Sequence, residues 1–428
     1  MKKLISLLYF PLAIFLIMTS NPISGQELPK PNYDESKIPG YRLPSAFKTE
    51  NGRTIQTKEE WEKYRRPELI AQFETYMFGK VPQMENRIRV KQTQAPTTAL
   101  NELAIRKEIT IYFDGRKTGP QMTILFYLPA ERQGRVPLFI GYNFQGNQTI
   151  HSDPGITMSQ SWVPNRPDRG LVDNQATEKS RGVAASRWPV EMILEHGYGL
   201  ATIYYGDVDP DFDDGFKNGV HQLFENKPKA DEWGSIATWA WALSRAMDYL
   251  ETDPDVDKEK VAVIGHSRLG KTSLWAGATD PRFAMVISND SGCGGAALSR
   301  RKIGETVAAI NTNFPHWFCD NFKQFNEKEE NLPFDQHLLI GLIAPRPVYV
   351  ASASEDLWAD PKGEFLSAKE AEKVYALYGL EGLPTDTMPA VEEPVVGTIG
   401  YHLREGKHDI TRYDWTQYLN FADRYFKD

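Results

Sequence analysis

The residues able to do chemistry gather in one short stretch, VAVIGHSRLGKT, residues 261–272. An apolar run ending at Ile264 reads as a buried strand, a tight turn carries Ser267, and a helix begins near Leu269. Such a corner lifts a hydroxyl to the carboxyl edge of a sheet and aims the first amides of the helix at the same point. It supplies a nucleophile and part of an oxyanion site together. The pattern departs from G-x-S-x-G, because position 269 is Leu and the second glycine is Gly270. The bland alternative is an ordinary strand–helix turn capped by a serine. The same letters also fit a phosphate-binding loop, with Gly265, Gly270, Lys271 and Thr272 at G-x-x-x-x-G-K-[ST] spacing. Against the phosphate loop, most of the strands precede the stretch, and it leaves the histidine and acid discussed next without a role.

A serine hydroxyl needs an adjacent base. The chain has eight histidines, at 151, 196, 221, 266, 316, 337, 402 and 408. Where a serine sits on such a corner, the acid and then the histidine follow it in chain order. Only His402 and His408 lie beyond every plausible acid. His402 falls inside an apolar strand pattern, whereas His408 follows the turn-like REGK, residues 404–407, so His408 is the expected base. Two acids fit the orienting role. Asp290 follows the strand after the serine strand, and Asp356 follows the next one.

The elements that must position these groups can be read from periodicity. Residues 104–113 and 121–129 alternate and predict antiparallel strands. Continuous apolar runs at 136–142, 200–205, 261–264, 284–288 and 347–351 predict strands buried on both faces. A further strand is expected at 398–403. Helical spacing covers 58–76 and 233–251, and a last helix is expected near 415–425. The expected fold class is α/β: a three-layer sandwich with a mostly parallel central sheet covered by helices on both faces. Residues 26–55 read as an extended lead-in, and 143–190 as a loop lying over one end of the sheet.

The 428 residues carry net charge −8, too acidic for a broad nucleic-acid surface. Lys2 and Lys3, an apolar run from Leu4 to Met18, and small residues to Gly25 predict a signal peptide over 1–25. Residues 26–428 would then be a single catalytic domain, secreted or periplasmic, with no membrane span. Export permits a bridge between the only two cysteines, Cys293 and Cys319. The acidic run from Asp207 to Asp214 lacks the glycine and glutamate of a calcium loop and reads as a structural or rim loop.

At the level of whole segments the chain resembles the bacterial glucuronoyl esterases, carbohydrate esterase family 15. The likeness is carried by GHSRLGKTSLWAGATDPRFA (265–284), NDSGCGGAALSRR (289–301), FPHWFCDNF (314–322), LPFDQHLLIGLIAPRPVYV (332–350), DLWADPKGEF (356–365) and GKHDITRYDW (406–415). The resemblance implies an α/β-hydrolase that cleaves uronate carboxyl esters through Ser267 and His408. Arg268 would aid the oxyanion, and Lys271, Glu305, Trp317 and Trp358 would bind the uronate. It implies no cofactor and no metal. The implied substrate is 4-O-methyl-glucuronate on xylan, esterified to lignin alcohols or methanol, in plant cell-wall polysaccharide. Many members carry Glu where this chain has Asp290; the shorter side chain favours Asp356 as the acid. Alternatives are a pectin methylesterase on galacturonate, an acetyl xylan esterase, and a carbohydrate-binding homologue without turnover. A monomer is the default. A Cys293–Cys319 bridge would brace the segment bearing Glu305 and Trp317.

Overall fold

The computed structural model describes residues 30–82, 88–224 and 227–427. Apart from a two-stranded ribbon, Leu171–Val172 with Gln175–Ala176, the strands are β1 (Arg89–Ala99), β2 (Ala104–Tyr112), β3 (Gln121–Pro129), β4 (Val136–Asn143), β5 (Gly199–Tyr204), β6 (Val256–His266), β7 (Met285–Asn289), β8 (Val348–Ala353), β9 (Val395–Val396) and β10 (Ile399–Arg404). They form one sheet in the order β1-β2-β3-β5-β4-β6-β7-β8-β10-β9. Strands β5, β4, β6, β7, β8 and β10 run parallel. The first three strands and β9 pair antiparallel at the two edges.

The continuous apolar runs of the central strands follow from burial on both faces. Val261 and Val263 point into one core, Ala262 and Ile264 into the other. The first core is covered by α1 (Arg66–Phe73), α3 (Ser235–Leu250), α4 (Arg268–Thr279), α6 (Gln336–Gly341) and α7 (Pro361–Leu377). The second lies under α2 (Val190–Glu195) and α8 (Arg412–Phe426). A short helix α5 (Val307–Asn313) adds Val307 and Ile310 to the first core. Ile236, Ala240, Leu243, Met247 and Leu250 of α3 are all buried, as their spacing predicts. Each large apolar side chain so buried contributes about 1.5–3 kcal/mol before entropy is counted.

Strand β1 is absent from the expectations above, and its chemistry explains why. RVKQTQAPTTA is polar and mostly exposed, contains Pro96, and is broken by register shifts at Gln92–Thr97. An edge strand needs one paired side only and carries no apolar period. In its described part the lead-in holds a short 3-10 turn, Glu35–Lys37, and a tight turn closed by one antiparallel bridge, Lys48 to Thr54. The expected signal peptide over 1–25 lies outside the described residues. Among those described, no helix is long and apolar enough to cross a membrane.

The Cys293–Cys319 bridge is not formed. Both thiols are free and buried, and Cys319 Sγ turns to the Thr75 carbonyl at 3.8 Å. Burial pushes the Cys319 thiol up to about 12 and that of Cys293 well above its usual value.

The departure from G-x-S-x-G has a steric reading. A Cβ on Gly265 would lie 1.9 Å from the Leu269 carbonyl oxygen, so the position before the turn must be bare. At Gly270 a Cβ would meet Ser291 Cβ at 3.0 Å and the Asn289 and Gly265 carbonyl oxygens at 3.2 Å, contacts that shifts of a few tenths of an ångström relieve. Gly265→Ala should therefore destabilise the fold by about 3 kcal/mol and Gly270→Ala by much less, as read from denaturant unfolding of the two variants.

Candidate active site

Ser267 sits at the β6–α4 corner with φ 59° and ψ −129°, a conformation rarely adopted by a residue with a side chain. Its amide donates to the Asn289 carbonyl at 2.9 Å, which ties the corner to the end of β7. The following helix is almost wholly buried, so the corner cannot relax outward.

His408 arrives from the loop after β10. Its Nδ1 and Asp356 Oδ2 are 2.5 Å apart, leaving Nε2 for a hydroxyl. The ring is 42% exposed, open to a substrate, while Asp356 is buried. Ser267 and His408 are not hydrogen-bonded in this conformation; such contacts commonly tighten only with substrate. Beneath His408, at 4.5 Å between ring centroids, lies His266. Burial, with the His408 charge adding to it, holds His266 well below the usual histidine range. Its Nδ1 bonds Asn289 Oδ1 at 2.6 Å. The neighbour of the candidate base thus stays neutral. His402, the other late histidine, is a core residue held between Asp414 Oδ1 at 2.8 Å and the Tyr349 hydroxyl at 3.0 Å.

The two candidate acids separate clearly. Asp290 does not bond the imidazole. Its Oδ2 accepts from the Asp409 amide at 3.2 Å and faces Arg404 at 3.5 Å, while Oδ1 has no partner. Burial first, then the charges of Glu364 and Asp356, raise its carboxyl well above the usual range. A neutral Asp290 is a poor partner for an imidazolium, whereas Asp356 is in place. Ligand atoms of Asp290, Asp356 and His408 lie within 4.8 Å of one another, a spacing a small cation could bridge. Here the Asp356–His408 hydrogen bond uses it.

The helix α4 also presents Arg268 and Lys271. Arg268 is ion-paired to Asp211, and its guanidinium lies 4.8 Å from the Trp317 ring centroid, with Phe144 and Phe314 near. Asp211 further accepts from Trp317 Nε1 at 2.7 Å and pairs with His316 Nε2 at 2.9 Å. Burial opposes its charge, but the His316 hydrogen bond and Arg268 hold the carboxyl down at about 2. Lys271 donates to the Ser291 carbonyl and stands 3.9 Å from Glu305 and 5.9 Å from the Trp317 ring. Burial raises the Glu305 carboxyl, with Lys271 pulling against it. The Glu305 amide bonds the Trp358 carbonyl at 2.9 Å, and the Trp358 side chain is 39% exposed at the rim. Short contacts thus link Arg268, Lys271, Glu305 and Trp317 to one another, and His408 to Asp356 with Asp290 close by.

The phosphate-loop match is a coincidence of spacing. Thr272 Oγ1 donates to the Arg268 carbonyl, and Lys271 turns its ammonium toward the Ser291 carbonyl and Glu305. Nor is the acidic run one cation cage: Asp207 bonds Ser161, Asp209 faces His221, and Asp211 holds Arg268. Sequence reasoning missed Asp211, His316, Phe144 and His266 as parts of the site. The one available signal was a run of aspartates placed just after a buried strand.

Because Asp211 falls from an ordinary 3.8 to about 2 on folding, its contribution to stability is complete above pH 4 and is lost as pH falls toward 2. Asp211→Asn should be destabilised equally at pH 7 and pH 5, with the gap to the parent protein closing near pH 2 in denaturant unfolding.

The family model described as "Glucuronyl esterase, fungi" matches residues 190–379. Carbohydrate esterase MZ0003, from an unknown prokaryotic organism, is 52% identical over 398 residues, covering 92% of each chain. The 4-O-methyl-glucuronoyl methylesterase of Cerrena unicolor is 25% identical over 367 residues, 82% of this chain and 64% of that one. The solved glucuronoyl esterase from Solibacter usitatus superposes with a TM-score of 0.86 at 46% identity, covering 91% of this chain and 99% of that one. The chain belongs to the glucuronoyl esterases, carbohydrate esterase family 15, and has their α/β-hydrolase fold.

Proposed function

We propose that the protein hydrolyses esters of the glucuronate carboxyl group through an acyl-enzyme on Ser267. The observation that carries this reading is the strained Ser267 at the head of α4, beside a His408 already bonded to Asp356 at 2.5 Å. In the first step Ser267 Oγ attacks the ester carbonyl carbon while His408 Nε2 takes the hydroxyl proton. Arg268 and the free amides at the start of α4 stabilise the oxyanion. Collapse breaks the bond to the alcohol oxygen, which leaves with the proton from His408. Water then attacks the acyl-enzyme by the same route and frees the uronate. Asp356 orients the ring and stabilises its protonated form.

Lys271, Glu305, Trp317 and Trp358 are assigned to the uronate. Aromatic faces suit sugar C–H surfaces, and the Lys271–Glu305 pair suits ring hydroxyls. Relatives named for glucuronoyl esters favour glucuronate over the galacturonate of pectin. They favour a uronate-side ester over acetyl removal as well. Residues 26–428 are assigned as one catalytic domain acting outside the cytoplasm. Export rests on the basic, apolar and small-residue pattern of residues 2–25.

Ser267→Ala should lower hydrolysis of methyl glucuronate by about 10⁴-fold or more while leaving the unfolding transition in place; retained activity contradicts the reading. Asp356→Asn should cost about 10³–10⁴ in kcat, and Asp290→Asn less than about tenfold; the reverse order would make Asp290 the acid. Parallel initial rates on methyl glucuronate and methyl galacturonate should favour the former.

A further inference from the structure

Along the carboxyl edge of the sheet, Trp358 follows β8, on one side of the Ser267 corner. The segment after β5 lies on the other side, and there an aromatic pair is exposed. Phe212 is 38% exposed, and its ring stands 4.6 Å from the half-buried Trp162 at an angle of 54°. Phe212 is the residue next to Asp211, the carboxylate that holds Arg268. The Tyr204 hydroxyl fixes the Trp162 carbonyl at 2.8 Å.

The same two segments wall a 140 Å³ pocket lined by Glu108, Gln121, Gln160, Ser161, Tyr204 and Asp207, among others. Glu108 is only 1% exposed; one of its oxygens accepts from the Thr157 amide at 2.8 Å, and no described residue donates to the other. Ser161 Oγ and the Thr123 amide donate to Asp207 at 2.5 and 3.3 Å. Burial pushes the Asp207 carboxyl up to about 6 against those two hydrogen bonds. No lysine or arginine among the described residues lines this pocket.

We propose that Trp162 and Phe212, with the adjoining acceptor-rich pocket, form a second sugar subsite for an uncharged pyranose of the glycan that bears the esterified uronate. This rests on the uronate-ester reading of the Ser267 site. Aromatic faces meet pyranose C–H faces, and buried carboxylates, amides and hydroxyls meet sugar hydroxyls. Two carboxylates that no described lysine or arginine of the lining offsets repel an acidic ring, so the chain here carries its uronate as an isolated branch. Strands β5 and β2 lie two and four positions from β6. At about 4.8 Å per strand the subsite is about 10–20 Å from the corner, beyond the reach of a single sugar ester.

The test has two arms. In the first, kcat/KM is measured for methyl glucuronate and for the same ester on a neutral xylo-oligosaccharide. The ratio of the second to the first should exceed one and should fall about tenfold, chiefly through KM, in Trp162→Ala and in Phe212→Ala, with recovery in Trp162→Phe. An unchanged ratio in both alanine variants overturns the subsite. If neither ester is cleaved, the uronate-ester reading fails and the second arm still decides. There, calorimetry of Ser267→Ala protein should show xylohexaose binding that weakens at least tenfold on adding Trp162→Ala, and weaker binding of an oligogalacturonate of equal length. Absent xylohexaose binding, or tighter binding of the oligogalacturonate, overturns the proposal.

Discussion

Ser267 is held at φ 59° and ψ −129°, and the rest of the site depends on that backbone conformation. Such a conformation costs a non-glycine residue about 1–3 kcal/mol and persists only where the surroundings over-determine it. Here the surroundings do so at three points. Gly265 lets the Leu269 carbonyl close over the turn, the Ser267 amide is bonded to Asn289, and α4 is packed into the core directly behind. The strain turns the hydroxyl outward and points the first helix amides at the same place. Relaxing the corner would move the nucleophile and part of the oxyanion site together.

Electrostatics complete what the corner begins. Three ionisable groups lie around the serine corner, and their surroundings push them toward different charge states. His266 and Asp290 are driven toward neutrality by burial, while Asp211 is held ionised by His316 and Arg268. The imidazolium formed on His408 during turnover therefore meets one bonded carboxylate, Asp356, without a competing positive ring beneath it. Arg268 is fixed by a buried counter-ion and an aromatic wall rather than left to swing in solvent. A fixed guanidinium stabilises a developing negative charge without the cost of reorienting it.

Much of this was legible in the chain. Parallel strands buried on both faces read as unbroken apolar runs, so β4 to β8 and the serine corner could be placed to within a few residues, β6 beginning earlier than its apolar run. Chain order alone separated His408 from the six earlier histidines, and the strand pattern around His402 marked it as packing. Less legible were features set by contacts distant in sequence or by solvent. Strand β1 is polar because one of its sides faces water. Asp211 meets Arg268 across 57 residues, and nothing local distinguishes it from the other aspartates of its run. The cysteine pairing was left open for the same kind of reason: composition permits a bridge, and in the fold both thiols are free and buried.

The reaction turns on which atom attacks. Reaction of the protein with a fluorophosphonate that mimics an ester carbonyl, followed by mass-spectrometric peptide mapping, tests this most directly. Labelling confined to the peptide carrying Ser267, slowed by glucuronate and abolished by His408→Ala, is the result expected. A label on another residue, or full activity after complete labelling of Ser267, would contradict it.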